Sequence, residues 1–330
     1  MRIGTNPNIN ATIDFSVKSH RVIIPIYIPN AEGYFEDAFN VLKVCIDSLL
    51  KTINKDTAIT LISNASSKEV NNYISNLYSK RKVDKVVFNS ENVGKINAII
   101  TETRASFEEF ITYSDADVFF DKGWLKQTFT MFKNVPKAGF VSMNPTPYNC
   151  SHANSTILDN MFTILFKKQK TNTVCSYLDL EHFFNSVGRT KEALDKAFNG
   201  ECYTVSNENY IIGAGHFCCT IRKSPTLKEI PSEQSKIVLS TSSDAGYLDI
   251  PFDKTGLWRI SSPKAFVWHM GNNLERDWAS QKLESLVNFK EDDFTFSILP
   301  CKNSTFKSHL IPYQFVYRTV SLLKKLNLFK

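Results

Sequence analysis

Seven cysteines (Cys45, Cys150, Cys175, Cys202, Cys218, Cys219 and Cys301) make an odd set without one Cys-x-x-Cys pair. That lack argues against a disulfide framework and against a cysteine zinc site, and predicts reduced, mostly buried thiols in a cytosolic protein. No apolar run approaches bilayer length, and the start, MRIGTNPNIN, has no apolar h-region. Neither secretion nor a transmembrane helix is therefore predicted. The lysines do not gather into a stripe with interleaved aromatics, and a net charge of +6 is mild. Nucleic acid is a poor partner for such a surface. What the chain does have is 330 residues with 42% hydrophobic and 22% charged content, enough for a full core in one large domain or one domain with an appendage.

The first half alternates short apolar runs with helical patterns, as an α/β chain with a parallel sheet does. Arg21 to Ile28, RVIIPIYI, reads as the first strand. Pro25 within it removes a ladder donor, so the strand lies at an edge or ends there, opening toward a ligand. In VLKVCIDSLLK, Leu42, Cys45, Ile46, Leu49 and Leu50 follow the spacing of a helix packed on a sheet. TAITLIS is a second strand, and Ser66 with Glu69 is a capping-box pattern for a second helix through Tyr78. VDKVVFNS, a helix from Gly94 to about Thr103, and EEFITYS complete the series.

That last strand runs into Asp115-Ala116-Asp117. Two carboxylates one residue apart on one strand face repel, and a cation between them removes the repulsion. Mg²⁺ or Mn²⁺ suits hard oxygen ligands and shares them with a substrate phosphate. The tripeptide alone carries little weight, since roughly one is expected by chance in a chain of this length. Its position carries more, because ligands of open α/β sheets collect beyond the carboxyl ends of the strands.

The order of these segments resembles the nucleotide-sugar half of family 2 glycosyltransferases of the GT-A fold, a Rossmann-like, mostly parallel sheet flanked by helices. VIIPIY resembles that family's first strand and CIDSLLKT its first helix. ISNASS stands at its base-binding turn, ENVGKINAI resembles its Asn-x-Gly-Lys-x-x-Ala segment, and YSDADVFF its metal-binding strand. The clear resemblance covers residues 20 to 145, with looser agreement to about 275. It implies an N-terminal extension at 1–19, a catalytic domain at 20–275 and a helical tail at 276–330. Within the domain it implies a nucleotide-sugar half at about 20–145 and an acceptor-side half at about 146–275.

By this resemblance the donor would be held by Pro25, Tyr27, Ser63, Asn64, Asn92, Gly94, Lys95, Asp115, Ala116 and Asp117. Gly94 would let backbone approach a ligand at a helix start whose amides favour phosphate, with Lys95 adding a charge. Ser63 departs from the aspartate that relatives carry there, which leaves the base open. Asp117 would ligate Mn²⁺ or Mg²⁺, His269 would complete the metal shell, and Asp115 would hold the donor ribose or the metal through water. Gly213, Gly215 and His216 would lie beside the donor sugar, where His216 either touches substrate or is an ordinary packed histidine. The base that takes the acceptor's proton lies among Asp244, Asp249 and Asp253, all before Gly256. Asp244 or Asp249 is the candidate, and one of the three is expected to be a solvated cap.

These readings imply an inverting transfer from a nucleotide diphosphate sugar, UDP-linked for preference, to a glycan or lipid-linked acceptor in cell-surface polysaccharide synthesis. The last segment, YQFVYRTVSLLKKLNLFK, interleaves cations with apolar residues. It suits either peripheral association with an anionic membrane, at the inner face of the cytoplasmic membrane, or a helix packed on the domain. Two rivals stand beside this reading. DADVFF also fits the nucleophile motif of haloacid-dehalogenase-like phosphatases, with Asp115 attacking phosphate, although that motif normally follows the first strand. The other is a non-catalytic nucleotide-sugar-binding module of the same fold.

Overall fold

The computed structural model describes residues 3–12, 18–150, 152–158 and 166–292, with 294, 301, 315, 318, 319, 322 and 326 singly. The N-terminal half runs β1 (His20–Ile26), α1 (Ala38–Thr52), β2 (Thr57–Asn64), α2 (Lys68–Ser79), β3 (Lys85–Asn89), α3 (Lys95–Ala105) and β4 (Phe110–Ser114). Then come β5 (Val118–Phe120), α4 (Trp124–Asn134), β6 (Ala138–Ser142), β7 (Lys167–Lys170), α5 (Tyr177–Ser186) and α6 (Lys191–Phe198). The chain continues through β8 (Glu201–Val205), β9 (Tyr210–Ile212), β10 (Cys218–Arg222) and α7 (Lys223–Leu227). After a helical stretch (Thr241–Asp244, Ala245–Asp249, Ile250–Lys254) it ends in β11 (Trp258–Ser261), β12 (Val267–His269) and α8 (Arg276–Ser285).

Ten strands form one sheet in the order β3-β2-β1-β4-β10-β6-β11-β9-β8-β7, and β12 pairs with β5 in a second. The class is α/β, as the resemblance implies. β1, β2, β3 and β4 are parallel, whereas β10 runs antiparallel to both β4 and β6. The side chains of β1 explain why both faces are covered. Val22 and Ile24 pack with Leu42, Ile46 and Leu49 of α1, and Ile23 packs with Ile96, Ile99 and Ile100 of α3. Each such buried side chain contributes about 1.5–3 kcal/mol of burial energy, so the sheet is a firm base for the loops above it.

β1 is central rather than at an edge, but its pairing with β4 stops at Ile23 opposite Tyr113. Pro25 lies just past that point and pairs only with β2. The missing donor of Pro25 thus falls where a crevice opens between β1 and β4. That is the place where the strand order reverses. The second helix begins one residue later than its capping-box pattern suggests. Ser67 is the N-cap, accepting from Val70 N, because the Ser66 hydroxyl instead donates to Ile26 O at 3.0 Å and ties β2's turn to the end of β1. No helix among the described residues is long and apolar enough to cross a membrane. The interleaved C-terminal segment falls largely outside the described residues.

Candidate active site

The cleft at the ends of β1 and β4 has a volume of about 400 Å³, and Pro25, Tyr27, Asn64, Asn92, Lys95, Asp115, Ala116 and Asp117 all line it. Its far wall brings in residues that the sequence did not single out, Tyr34 and Val238 with Leu239. Ser63 and Gly94 do not line it. The Ser63 hydroxyl is turned to Asn71 Oδ1 at 2.5 Å, away from any base. Gly94 has φ +85°, and a Cβ there would sit 3.0 Å from the Val238 carbonyl oxygen. Its glycine thus admits the chain's own 237–238 segment rather than a ligand. The Lys95 amide is likewise taken, donating to Val238 O at 3.2 Å.

Asn64 holds the turn after β3. Its Oδ1 accepts from Asn89 Nδ2 and Val93 N, and its Nδ2 donates to Asn92 Oδ1 at 2.7 Å. Asn92 Oδ1 also accepts from Gly94 N. Both amides are therefore fixed in orientation, and Asn92 Nδ2 is left without a partner among the described residues. That turn residue offers the cleft a donor.

Beyond β4 the chain leaves the sheet, so Asp115 and Asp117 are not on one strand face. They still converge, because the short β12–β5 pair sets His269 opposite Val118, and Met270 N donates to Asp117 O at 2.8 Å. Ligand atoms of Asp115, Asp117 and His269 all lie within 4.8 Å of one another. His269 Nε2 is 3.4 Å from Asp117 Oδ2, and Asp117 Oδ1 is buried without a hydrogen-bond partner among the described residues. Burial foremost raises the Asp117 pKa; Asp115 adds to this while His269 and Lys95 oppose it. An orphaned buried oxygen beside a second carboxylate and an imidazole is a donor set that suits a divalent cation. On the other flank Lys95 pairs with Asp115. Burial works against the lysine's charge, but Asp115, Asp244 and Asp117 together raise its pKa.

Asp244 belongs to a second acidic centre. All three candidate carboxylates are buried, so none is the expected solvated cap: Asp244 is 6% exposed, Asp249 1% and Asp253 1%. Asp253 Oδ1 accepts from Ser155 N and Oγ, each at 2.8 Å, and anchors the 155–158 turn. Asp249 pairs with Arg259, itself 1% exposed, and lies 3.1 Å from His152 Nε2. Burial opposes its charge, yet Arg259, His152 and His216 hold the carboxyl far below the usual range. Asp244 differs, because its Oδ1 is buried and unpartnered among the described residues while Oδ2 is 3.3 Å from His216 Nε2.

His216 Nδ1 lies 3.6 Å from Asp249 Oδ2, so the imidazole bridges both carboxylates. Burial lowers its pKa, but Asp244 and Asp249 outweigh that and raise it to about 9. It is an imidazolium at neutral pH. Gly213, with φ +119°, donates its amide to Arg259 O at 2.8 Å, and a Cβ there would lie 2.9 Å from Asn149 backbone. Gly215 would meet Thr146 at 3.2 Å. These glycines pack the loop that carries His216. Arg259 was not legible as a site residue, although a lone arginine inside the apolar stretch LWRI was its one sequence signal.

Residues 22–195, more than half of the chain, match the model of glycosyl transferase family 2. The chain belongs to this family. No curated protein matches it. Among solved structures it is similar to the mannosyltransferase PcManGT from Pyrobaculum calidifontis in complex with GDP-Man and Mn²⁺, with TM-score 0.45 and 12% identity over 95% of this chain and 77% of that one. It is similar to GalNAc-T7 with UDP, GalNAc and Mn²⁺, with TM-score 0.45 and 14% identity over 79% of this chain and 45% of that one. It is also similar to S. aureus TarS 1-349 with UDP-GlcNAc, with TM-score 0.32 and 14% identity over 39% of this chain and 34% of that one. The chain spans between 22% and 36% of the length of three of the TarS structures it matches, and 71% of TarS 1-349 without a ligand.

Proposed function

We propose that this family 2 chain moves a glycosyl group from a nucleotide diphosphate sugar, UDP-linked for preference, to a hydroxyl of a glycan or lipid-linked acceptor, with inversion. The observation that carries the reading is two acidic centres that meet at Lys95, a residue of the cleft lining that feels Asp115, Asp244 and Asp117 at once. Asp117 and His269 would hold Mn²⁺ or Mg²⁺, with Asp115 beside them. Such an ion neutralises the leaving diphosphate when bound. Asp115 also steadies Lys95, whose charge lies where phosphate oxygens would. Tyr27 and Tyr34 offer aromatic surface for the base, and Asn92 Nδ2 a donor to one of its carbonyl oxygens.

Asp244 Oδ1 is the base of this mechanism: it takes the acceptor hydroxyl proton as that oxygen bonds to the anomeric carbon and the bond to the diphosphate breaks. His216 holds Oδ2, which leaves the unpartnered Oδ1 as the oxygen that would take the proton. Asp249 is assigned to support, because a carboxylate locked to Arg259 is a weak proton acceptor. We take residues 20–275 as the catalytic unit, with the nucleotide-sugar half at about 20–145. Polysaccharide assembly at the cytoplasmic membrane face, with the C-terminal tail as anchor, belongs to this reading on the strength of the family resemblance and the basic tail.

Release of nucleoside diphosphate from UDP-, GDP- and dTDP-sugars with Mn²⁺, set against phosphate release from phosphomonoesters, tests the reaction class. Phosphate release alone would favour the phosphatase reading, and tight donor binding without transfer to any acceptor the non-catalytic one. Asp117→Ala is expected to abolish the Mn²⁺ dependence of UDP binding in calorimetry. Unchanged Mn²⁺ dependence in that variant would refute the metal assignment.

A further inference from the structure

The hydrogen bonds at the end of α5 decide which nitrogen of His269 carries its hydrogen. Ser186 Oγ donates to the Phe183 carbonyl at 2.8 Å. A carbonyl oxygen only accepts, so the hydroxyl's one proton is used there. Ser186 Oγ also lies 3.0 Å from His269 Nδ1, and with its proton committed it must accept from the ring. Nδ1 therefore carries the hydrogen. In a neutral ring Nε2 is then a bare lone pair, and it faces the acceptor Asp117 Oδ2 at 3.4 Å. Two acceptors set so close call for a proton or a metal cation between them, and a metal at this point displaces the proton.

We propose that Ser186 is a positioning residue that fixes the Nδ1–H tautomer of His269 and thereby presents Nε2 as a metal-ligating atom beside Asp117. This rests on the metal reading above. The rest of α5 holds the same turn in place. His182 Nε2 donates to the His269 carbonyl at 3.1 Å, which ties the backbone of the ligand residue to the helix. Gly271 has φ +70°, and a Cβ there would lie 3.0 Å from Ser186 O, so only glycine lets the helix end approach so closely. Phe183 and Phe217 meet the imidazole edge-on at centroid distances of 6.0 and 5.4 Å. A flipped ring would lose the Ser186 bond and turn carbon toward Asp117. An outer partner that sets a ligand's tautomer is typically worth about 10- to 100-fold in metal affinity.

The test uses the full chain and two readouts. Imidazole ¹H–¹⁵N correlation spectra of metal-free protein report the tautomer, and Mn²⁺ titration followed by electron paramagnetic resonance reports affinity. Wild type is expected as Nδ1–H. Ser186→Ala is expected to lose that signature and to bind Mn²⁺ about 10- to 100-fold more weakly, while Ser186→Thr, which keeps the hydroxyl, restores both. An Nε2–H wild type, or a Ser186→Ala variant with wild-type Mn²⁺ affinity, overturns the assignment. Wild-type protein that binds no Mn²⁺ overturns the metal reading and this role with it, and the tautomer signal, which needs no metal, tells that failure apart from failure of the hydrogen-bond argument.

Discussion

Asp249→Asn removes one charge and changes little else in shape, so its cost can be worked from the contacts it leaves. Arg259 keeps the carbonyl oxygens of His152, Ala153 and Ala214 at 3.1–3.2 Å, and its guanidinium lies 4.7 Å over the Phe140 ring. Among the described residues it has no other carboxylate, and it cannot shed its proton. Removing one partner of such a buried pair typically costs about 3–5 kcal/mol, because the other charge stays buried and uncompensated. That is a large fraction of the roughly 5–15 kcal/mol that separates folded from unfolded chains. Urea unfolding at pH 7 should show it as a lower midpoint with an unchanged slope.

The same pair fixes the pH dependence. The Asp249 carboxyl is held below its ordinary value of 3.8 in the fold, so the unfolded chain binds the proton more readily. Its stabilisation is fully present above that ordinary value and is lost as pH falls below it toward the folded pKa. The gap between wild type and Asp249→Asn should therefore still be present at pH 5, where His216 is charged in both proteins, and narrow below about pH 4. A gap under about 1 kcal/mol at pH 7, the scale of an exposed pair, would refute the buried-pair argument. So would a gap that stays constant down to pH 3.

Two further outcomes follow from the same geometry. Asp244→Asn should leave donor and Mn²⁺ affinity nearly intact while lowering transfer about 10²- to 10⁴-fold, the usual worth of a positioned base; normal transfer would return Asp244 to a structural role. Gly94→Ala should cost about 1–3 kcal/mol for its extended, positive-φ backbone, which essentially only glycine adopts, and push the 237–238 segment off the cleft wall, raising the donor KM with little change in kcat; an unaltered KM would show that this segment does not shape the donor cleft.

What was legible in the sequence was the part governed by short-range periodicity. Alternation and helical spacing place β1 to β4 and α1 to α3 within three residues at each end, because each of these elements buries its own apolar face. Asp115 and Asp117 were legible for the same reason, as polar residues at the end of a buried strand. The second half was not. β9 and β12 have three residues each, too few for any pattern, and their pairing depends on partners more than 100 positions away for β12. Arg259 reads as an ordinary basic residue until the fold closes carbonyls around it. α5 gave no sign of its role, since its serine and histidine act through single hydrogen bonds to a distant turn.

The two acidic centres owe their geometry to departures from regular structure. In an α-helix, residues five apart are turned by about 140° from one another, so Asp244 and Asp249 could not both face His216. Ala245–Asp249 instead forms a π turn, whose bonds join residues five apart, and both carboxylates reach the imidazole. The Asp115–Asp117 centre arises likewise, where β4 leaves the sheet and β12 pairs with β5 rather than with the large sheet. The regular sheet supplies rigidity, and the irregular turns aim the side chains. A pattern of residues can announce the first, but the aim depends on one extra residue in a turn or one three-residue strand pair. This is why Asp244 and Asp249 were indistinguishable as a spacing and are distinct as an environment: one oxygen of Asp244 has no partner among the described residues, while Asp249 is enclosed by Arg259, His152 and His216.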